Sequence, residues 1–368
     1  MSGATRTAVI MAGGTGGHVF PALALARVLR ERGCDIVWLG TRQGIEARLV
    51  PAAGLPVEWI SIGGLRGKGV GTLLAAPFRL MRALGESLRV MRRHRPIVVV
   101  GLGGFVTGPG GLAAWLTRRP LVVHEQNAIA GFTNRTLARF AREVLTAFPG
   151  AFDASQPVRE IGNPVRPEFF TLAAPAARAA GRGAVLRLLV VGGSQGANKL
   201  NAVVPFAVAR LVGSVRFEIR HQAGPRWIDA ARKSFLDAGV AAEVTPFIDD
   251  IAEAYAWADL VICRSGALTV SELAAAGVAS ILVPFPAAVD DHQTANARYL
   301  VREGAALLLP DRELTAERLA RELLELCRGG RERLVAMAGR ARRLARPRAT
   351  EELADACLAV ARVEGAAA

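Results

Sequence analysis

Cysteine and aromatic residues are scarce in this chain, and no long apolar stretch is free of glycine or proline. The four cysteines, Cys34, Cys263, Cys327 and Cys357, lie far apart and form no CxxC pair. That spacing excludes a disulfide framework or a zinc site built on cysteine pairs, and points to buried thiols in a reducing compartment. Aromatic residues make up only 6% of the 368 positions, and no basic stretch is interleaved with them. A base-stacking nucleic-acid surface is therefore not expected. Charged residues reach 21% against 51% hydrophobic, which excludes a disordered chain and suits parallel strands buried on both faces. The charge-free runs from Thr7 to Ala26 and from Pro96 to Thr117 are long enough to cross a bilayer, but each is broken by glycines and proline. A buried strand, a glycine turn and a helix fit such runs better than a lipid-exposed span. The amino-terminal region has one arginine, a glycine-broken apolar run and no convincing cleavage site. No signal peptide is expected, and the protein should stay in the cytoplasm.

Positive charge, by contrast, is plentiful. There are 46 basic and 32 acidic residues, a net charge of +14, so the surface should attract an anionic partner such as a phosphorylated substrate or acidic lipid. A GC-rich genome, which enriches arginine, explains the same numbers equally well. Glycine is concentrated where it carries information. Gly13-Gly14-Thr15-Gly16-Gly17-His18 follows the apolar run Thr7 to Ala12, and Gly192-Gly193-Ser194-Gln195-Gly196-Ala197 follows Leu186 to Val191. A strand that ends in glycines and opens a helix brings backbone N–H groups close to an anion at the positive end of the helix dipole. Two such units predict two Rossmann-like halves facing a shared cleft.

Strand and helix signals alternate in both halves. Strands are expected near 7–12, 35–40, 97–101, 121–124 and 143–147, then near 186–191, 215–220, 243–245, 259–263, 279–283 and 306–309. The stretch from Ala173 to Ala184 has linker composition. The expected division is a domain over 1–165, a linker over 166–185 and a domain over 186–368, with the last helix a candidate to pack back on the first domain. A dinucleotide fingerprint is missing, because Val19 stands at the third glycine position and the second strand ends Leu39-Gly40-Thr41 without an acidic residue. A P-loop fails as well, since Gly67-Lys68 is followed by Gly69. Hydride transfer and nucleotide hydrolysis are demoted, which leaves a two-domain nucleotide-sugar enzyme.

Seven blocks then carry a family resemblance. They are Met11 to Ala22, Gly103-Gly104-Phe105, His124-Glu125-Gln126-Asn127, Gly162-Asn163-Pro164-Val165-Arg166, Gly192 to Ala197, Cys263 to Glu272 and Asp291 to Ala297. In this order, from about residue 7 to 305, they closely resemble the bacterial peptidoglycan N-acetylglucosaminyltransferase family, MurG. The resemblance implies an α/β fold of GT-B type. It also implies inverting transfer of GlcNAc from UDP-GlcNAc to the C4 hydroxyl of MurNAc in lipid I, giving lipid II, on the cytoplasmic face of the inner membrane with the enzyme peripheral to it. No cofactor is implied. Neither Asp249-Asp250 nor Asp290-Asp291 has the one-residue spacing of a DxD metal site. Other cell-wall synthesis proteins are a further partner class.

The residues suggest roles, each beside a blander alternative. Thr15, Gly16 and Gly17 match family donor-binding positions, or simply make a tight turn. His18 is the first candidate for general base, because imidazole accepts a hydroxyl proton near neutral pH; otherwise it donates to a backbone carbonyl. Glu125 is a second base, a group that orients His18, or a helix cap. Asn127 suits a sugar hydroxyl, whereas His124 alternates to the other side of its strand and is expected in the core. Arg166 and Ser194 match donor contacts, with the guanidinium meeting the charge that grows on the departing UDP; an exposed hinge ion pair is the alternative for Arg166. Ile248 matches a uracil contact through its backbone, although unaided it reads as core. Ala267, Leu268, Thr269, Val270 and Ser271 offer N–H groups to phosphate, and Glu272 is placed for the ribose hydroxyls. Gln293 matches a donor-sugar contact.

From Leu65 to Pro96, Leu73, Leu74, Phe78, Leu80, Met81 and Leu84 alternate with Lys68, Arg79, Arg82, Arg89, Arg92 and Arg93. An amphipathic helix of this kind suits an anionic inner-membrane surface; a helix covering a sheet has the same apolar stripe. Two rival functions remain open. One is a UDP-GlcNAc 2-epimerase-like enzyme, which lacks a lipid acceptor, and the other is a non-catalytic nucleotide-sugar-binding subunit.

Overall fold

The computed structural model describes residues 6–63, 76–193 and 196–365. Ser194 and, in the amphipathic segment, Leu65, Lys68, Leu73 and Leu74 lie outside the described residues. The chain divides into two units, Met1–Val165 with Arg348–Ala368, and Arg166–Pro347.

In the first unit the order is β1 (Thr7–Ala12), α1 (Gly16–Glu31), β2 (Asp35–Gly40), α2 (Glu46–Ala52), β3 (Val57–Trp59), α3 (Ala76–His94), β4 (Val98–Gly103), α4 (Thr107–Leu116), β5 (Leu121–Glu125), α5 (Phe132–Leu137), β6 (Glu143–Thr146) and β7 (Arg159–Glu160). The sheet runs β3-β2-β1-β4-β5-β6-β7, and all its pairings are parallel. β1 is an unbroken apolar run because both of its faces are covered. Ala8, Ile10 and Ala12 enter one core layer with Leu25, Leu29 and Trp38. Val9 and Met11 enter the opposite layer with Met91 and Val123. This alternation is the two-residue period of a strand expressed as two cores.

The second unit holds α6 (Pro175–Ala179), β8 (Leu186–Val191), α7 (Asn198–Ala209), β9 (Phe217–Gln222), α8 (Ile228–Asp237), β10 (Glu243–Thr245), α9 (Ile251–Trp257), β11 (Leu260–Cys263), α10 (Ala267–Ala276), β12 (Ala279–Leu282), α11 (His292–Val301), β13 (Ala306–Leu308), α12 (Ala316–Cys327) and α13 (Glu332–Arg343). Its parallel sheet runs β10-β9-β8-β11-β12-β13. The closing helix, α14 (Ala349–Gly365), returns to the first unit, where Leu353, Ala354, Cys357 and Leu358 join the core layer of Ile10 and Trp38. All four cysteines are buried and unpaired, and burial pushes the Cys263 and Cys327 thiols up to about 12.

Residues 166–185, expected as a linker, are pinned to the second unit. Arg178 donates to the Gly277 carbonyl. Arg182 lies 2.6 Å from Asp259, whose other oxygen meets Arg331 at 2.9 Å. Asp259 also accepts from the Arg187 backbone N–H at 2.9 Å. An alanine- and arginine-rich stretch reads as loose from its composition, and only the distant Asp259 reveals its anchor.

In both sheets the winding direction reverses between two central strands, β1 and β4 in one and β8 and β11 in the other. Ligands of doubly wound sheets collect at the carboxyl ends of those strands. The two glycine turns are located there.

Candidate active site

In the first unit the turn after β1 leads into α1, with Thr15 as N-cap in an extended conformation and with no side-chain cap. Gly14 has φ +89°, open only to glycine in ordinary circumstances. A Cβ on Gly104 would lie 2.3 Å from the Gly13 carbonyl, so the turn after β4 rests directly on the turn after β1. A Cβ on Gly17 would meet nothing closer than the Thr15 hydroxyl at 3.7 Å. Packing therefore does not require glycine at 17.

Glu46, fully buried, was not recognised in the sequence. Its carboxylate accepts from the Gly14 N–H at 3.0 Å, from the Thr41 N–H at 3.1 Å and from the Thr41 hydroxyl at 2.7 Å. The second strand does end without an acid, but α2 supplies one from six residues beyond Gly40. That carboxylate is bonded to the glycine turn itself.

His18 is half-buried, and its Nδ1 lies 2.8 Å from Gln126 Oε1. A Cβ on Gly103 would sit 2.7 Å from the imidazole ring, so glycine at 103 makes room for it. Glu125 does not take the orienting place the sequence suggested. Its Oε1 accepts from Asn127 N–H and Nδ2 at 2.9 and 3.1 Å, and its Oε2 from Gly131 N–H and Asn134 Nδ2 at 3.1 and 2.9 Å. Four donors on a buried carboxylate make it the organiser of the loop after β5, with Asn127 fixed beside it. Gln126, which nothing in the sequence singles out from its neighbours, takes the place beside His18. His124 is fully buried, as its alternation predicts. Burial holds its imidazole down at about 4, against a raising contribution from the Gly162 carbonyl and Glu125.

In the second unit, Gly192 and Gly196 are required by packing. A Cβ on either would lie under 3.0 Å from backbone. The Gly193 N–H already donates to Gln222 Oε1 at 2.9 Å. After β11, Gly266 caps α10, whose first internal bond runs from the Val270 N–H to the Gly266 carbonyl at 3.0 Å. The Val270 N–H is thus used within the helix, and its side chain is core. The Ser271 hydroxyl donates back to the Ala267 carbonyl. Leu268 and Thr269 remain at the helix opening, where N–H groups have no partner inside the helix.

One turn further on, Glu272 lies 3.9 Å from Arg166, and the guanidinium also meets Glu168 at 3.4 Å. The Glu272 side chain keeps 19% of its surface. Burial pushes its carboxyl up to about 7, with Arg166 lowering it and Glu168 raising it. Two residues far apart in sequence, both expected to contact the donor, therefore form one charged pair. Arg166 also stacks over Phe169, 5.0 Å from its ring centre. Gln293 accepts from the Phe285 N–H at 2.9 Å, which leaves its amide nitrogen for a ligand. Ile248 is half-buried in the loop between β10 and α9, not core as its side chain suggested.

Two doubly wound units, each with a glycine turn at its switch point, define the GT-B class of nucleotide-sugar glycosyltransferases. The family model described as the glycosyltransferase family 28 N-terminal domain matches residues 8–146, and that of the C-terminal domain matches residues 187–353. The chain is 57% identical, over 97% of its length and 98% of the relative's, to the UDP-N-acetylglucosamine–N-acetylmuramyl-(pentapeptide) pyrophosphoryl-undecaprenol N-acetylglucosamine transferase of Marinobacter nauticus. It is equally similar to the enzyme of that name from Alkalilimnicola ehrlichii, over 97% of this chain and 100% of the relative. The crystal structure of Acinetobacter baumannii MurG superposes with a TM-score of 0.85 at 42% identity, covering 96% of this chain and 99% of that one. The chain belongs to glycosyltransferase family 28 and, within it, to the MurG family.

Proposed function

We propose that this protein transfers GlcNAc from UDP-GlcNAc to the C4 hydroxyl of MurNAc in lipid I, with inversion at the anomeric carbon, to give lipid II. The reading is carried by near-full-length likeness to relatives bearing that activity in their names. In this mechanism His18 accepts the C4 hydroxyl proton as that oxygen attacks the anomeric carbon. The bond from that carbon to the diphosphate oxygen breaks, and UDP leaves with the electron pair. Arg166 and the opening of α10 at Leu268 and Thr269 take up the charge that develops on the leaving group. Ser194, Ala267 and Ser271 keep the donor contacts the family resemblance implies, whereas the Val270 N–H, bonded to the Gly266 carbonyl, is not offered to the phosphate. Glu272 accepts from the ribose hydroxyls, Ile248 meets the uracil edge through its backbone, and Gln293 meets the donor sugar. Thr15, Gly16, Gly17 and Asn127 complete the contacts around the reacting centre.

Lipid I is anchored in a bilayer, and α3 suits an anionic membrane surface on the cytoplasmic side. Its Ala83, Ser87, Val90 and Met91 are buried. Phe78 and Met81 nevertheless expose 82% and 67% of their surface, beside exposed Arg79, Arg89 and Arg92. The helix therefore has both a core face and an apolar, basic outer face. No helix among the described residues is long and apolar enough to cross a membrane.

The test incubates purified protein with labelled UDP-GlcNAc and a lipid I analogue. Appearance of the labelled disaccharide, dependent on the acceptor, is expected. UDP release or sugar epimerisation without an acceptor would instead indicate the 2-epimerase-like reaction, and binding without turnover would indicate a non-catalytic subunit.

A further inference from the structure

Among the buried polar groups of the first unit, three form a chain whose direction is set by backbone carbonyls, which can only accept. His124 Nε2 lies 2.9 Å from the Gly162 carbonyl, so Nε2 must carry the ring proton. A neutral imidazole has one N–H, so His124 Nδ1 is then an acceptor. Gln126 Nε2 lies 3.0 Å from that Nδ1 and 3.0 Å from the His124 carbonyl. Both are acceptors, so the amide nitrogen must face them and Gln126 Oε1 must face His18. That oxygen, 2.8 Å from His18 Nδ1, can only accept. We infer that the Gly162 carbonyl, His124 and Gln126 form a hydrogen-bond relay of fixed direction that holds the His18 proton on Nδ1 and leaves Nε2 as the unprotonated nitrogen.

The relay sits where such control is strongest. His124 is 0% and Gln126 1% exposed, and away from water a reversed amide would set two donors or two acceptors against each other. The low value of His124, about 4 through burial, keeps it neutral at physiological pH. Asn163 Nδ2 donates to the Gln126 carbonyl at 3.1 Å, fixing the main chain of the same residue. Gly162 and Asn163, given no part in the donor chemistry assigned to Arg166 of the same motif, thus anchor the relay at two points. Which imidazole nitrogen acts as base is decided by what the other one meets. His124 and Gln126 are positioning residues, and they touch no substrate in this scheme.

This inference deepens the proposal that His18 is the base, and a spectroscopic readout separates the two. The chain has five histidines, few enough for selective 15N-histidine labelling and assignment of each ring by long-range proton–nitrogen correlation. In the unsubstituted protein, His18 is expected to show a protonated Nδ1 and a bare Nε2; the reverse would overturn the relay without any variant. Gln126→Met preserves length and removes both amide functions. It should move the His18 proton to Nε2 in a substantial fraction of molecules. It should also lower kcat roughly tenfold, part of the hundredfold or more that a general base supplies, with the donor KM unchanged. A folded Gln126→Met protein that keeps the Nδ1 proton would overturn the relay. If the proton moves while kcat holds, the relay stands and the base role of His18 falls.

Discussion

In the proposed reaction His18 serves the acceptor and Glu272 the donor. His18→Ala should lower turnover by roughly 100-fold or more with little change in donor affinity, because a general base acts on the transition state. Turnover within a few-fold of the parent would return the base role to another group. Glu272 makes a pH-dependent prediction. Its ordinary value of 4.5 is raised by burial to about 7 in the folded protein, so the unfolded chain releases this proton first. The contribution of Glu272 to stability consequently falls as pH rises through the window between those values. Donor binding follows the native group alone. If Glu272 holds the ribose as proposed, its carboxylate accepts from both hydroxyls above about 7 and is progressively protonated below it. Between pH 6 and pH 8 the affinity for UDP-GlcNAc should rise about tenfold if only the ionised form binds, given the value of about 7. Glu272→Gln should bind more weakly and show no such slope by calorimetry. A flat profile in the parent protein would mean that Glu272 is only a helix residue paired with Arg166. Both residues were visible in the sequence because each sits beside a glycine turn or helix opening that advertises itself. Gln126 and Glu46 were not, since their partners, His18 and Gly14, are 108 and 32 positions away. Only folding brings those pairs together.

Among the elements, the central strands were legible, as were the edge strands β10 and β13 of the second sheet, but the edge strands of the first sheet were not. β1 and β8 were read to the residue because runs buried on both faces are continuously apolar. β3 is Val57-Glu58-Trp59 and β7 is Arg159-Glu160. Each lies at an edge of the first sheet, where one side has no neighbour and a short polar strand suffices. Linker composition misled for a related reason. The segment over 166–185 has few apolar residues to mark a core, and it is attached through charge. Asp259 keeps only 4% of its side-chain surface and balances Arg182 and Arg331. Removing one partner from such a buried cluster leaves uncompensated charge, at a typical cost of about 3–5 kcal/mol. Asp259→Ala should therefore lower the unfolding midpoint of the second unit in urea by a corresponding amount. A loss below about 1 kcal/mol, the scale of an exposed ion pair, would show that the arginines find water instead and that α6 is loosely held.

At the scale of the whole molecule, a net charge of +14 has two readings, general solubility or attraction to an anionic surface, and α3 offers a way to separate them. Arg82 is already engaged, 2.9 Å from Glu86, whose carboxylate also accepts from Ser61. Arg79, Arg89 and Arg92 are exposed and flank the exposed Phe78 and Met81. If this face rests on lipid headgroups, the protein should bind vesicles containing anionic lipid, bind neutral vesicles weakly, and lose affinity as salt is added. Reversing charge at Arg79, Arg89 and Arg92 together should reduce anionic-vesicle binding by roughly hundredfold, given the usual contribution of each basic residue near such a surface. Replacing Phe78 and Met81 with serine should weaken binding to both kinds of vesicle, because the apolar contribution is indifferent to headgroup charge. Transfer to a soluble, short-chain acceptor should survive both sets of changes, since neither touches His18, Arg166 or Glu272. Undiminished vesicle binding by the triple reversal at physiological salt would move the membrane contact away from α3. Loss of soluble-acceptor transfer in the same variant would show instead that α3 helps to shape the acceptor site itself.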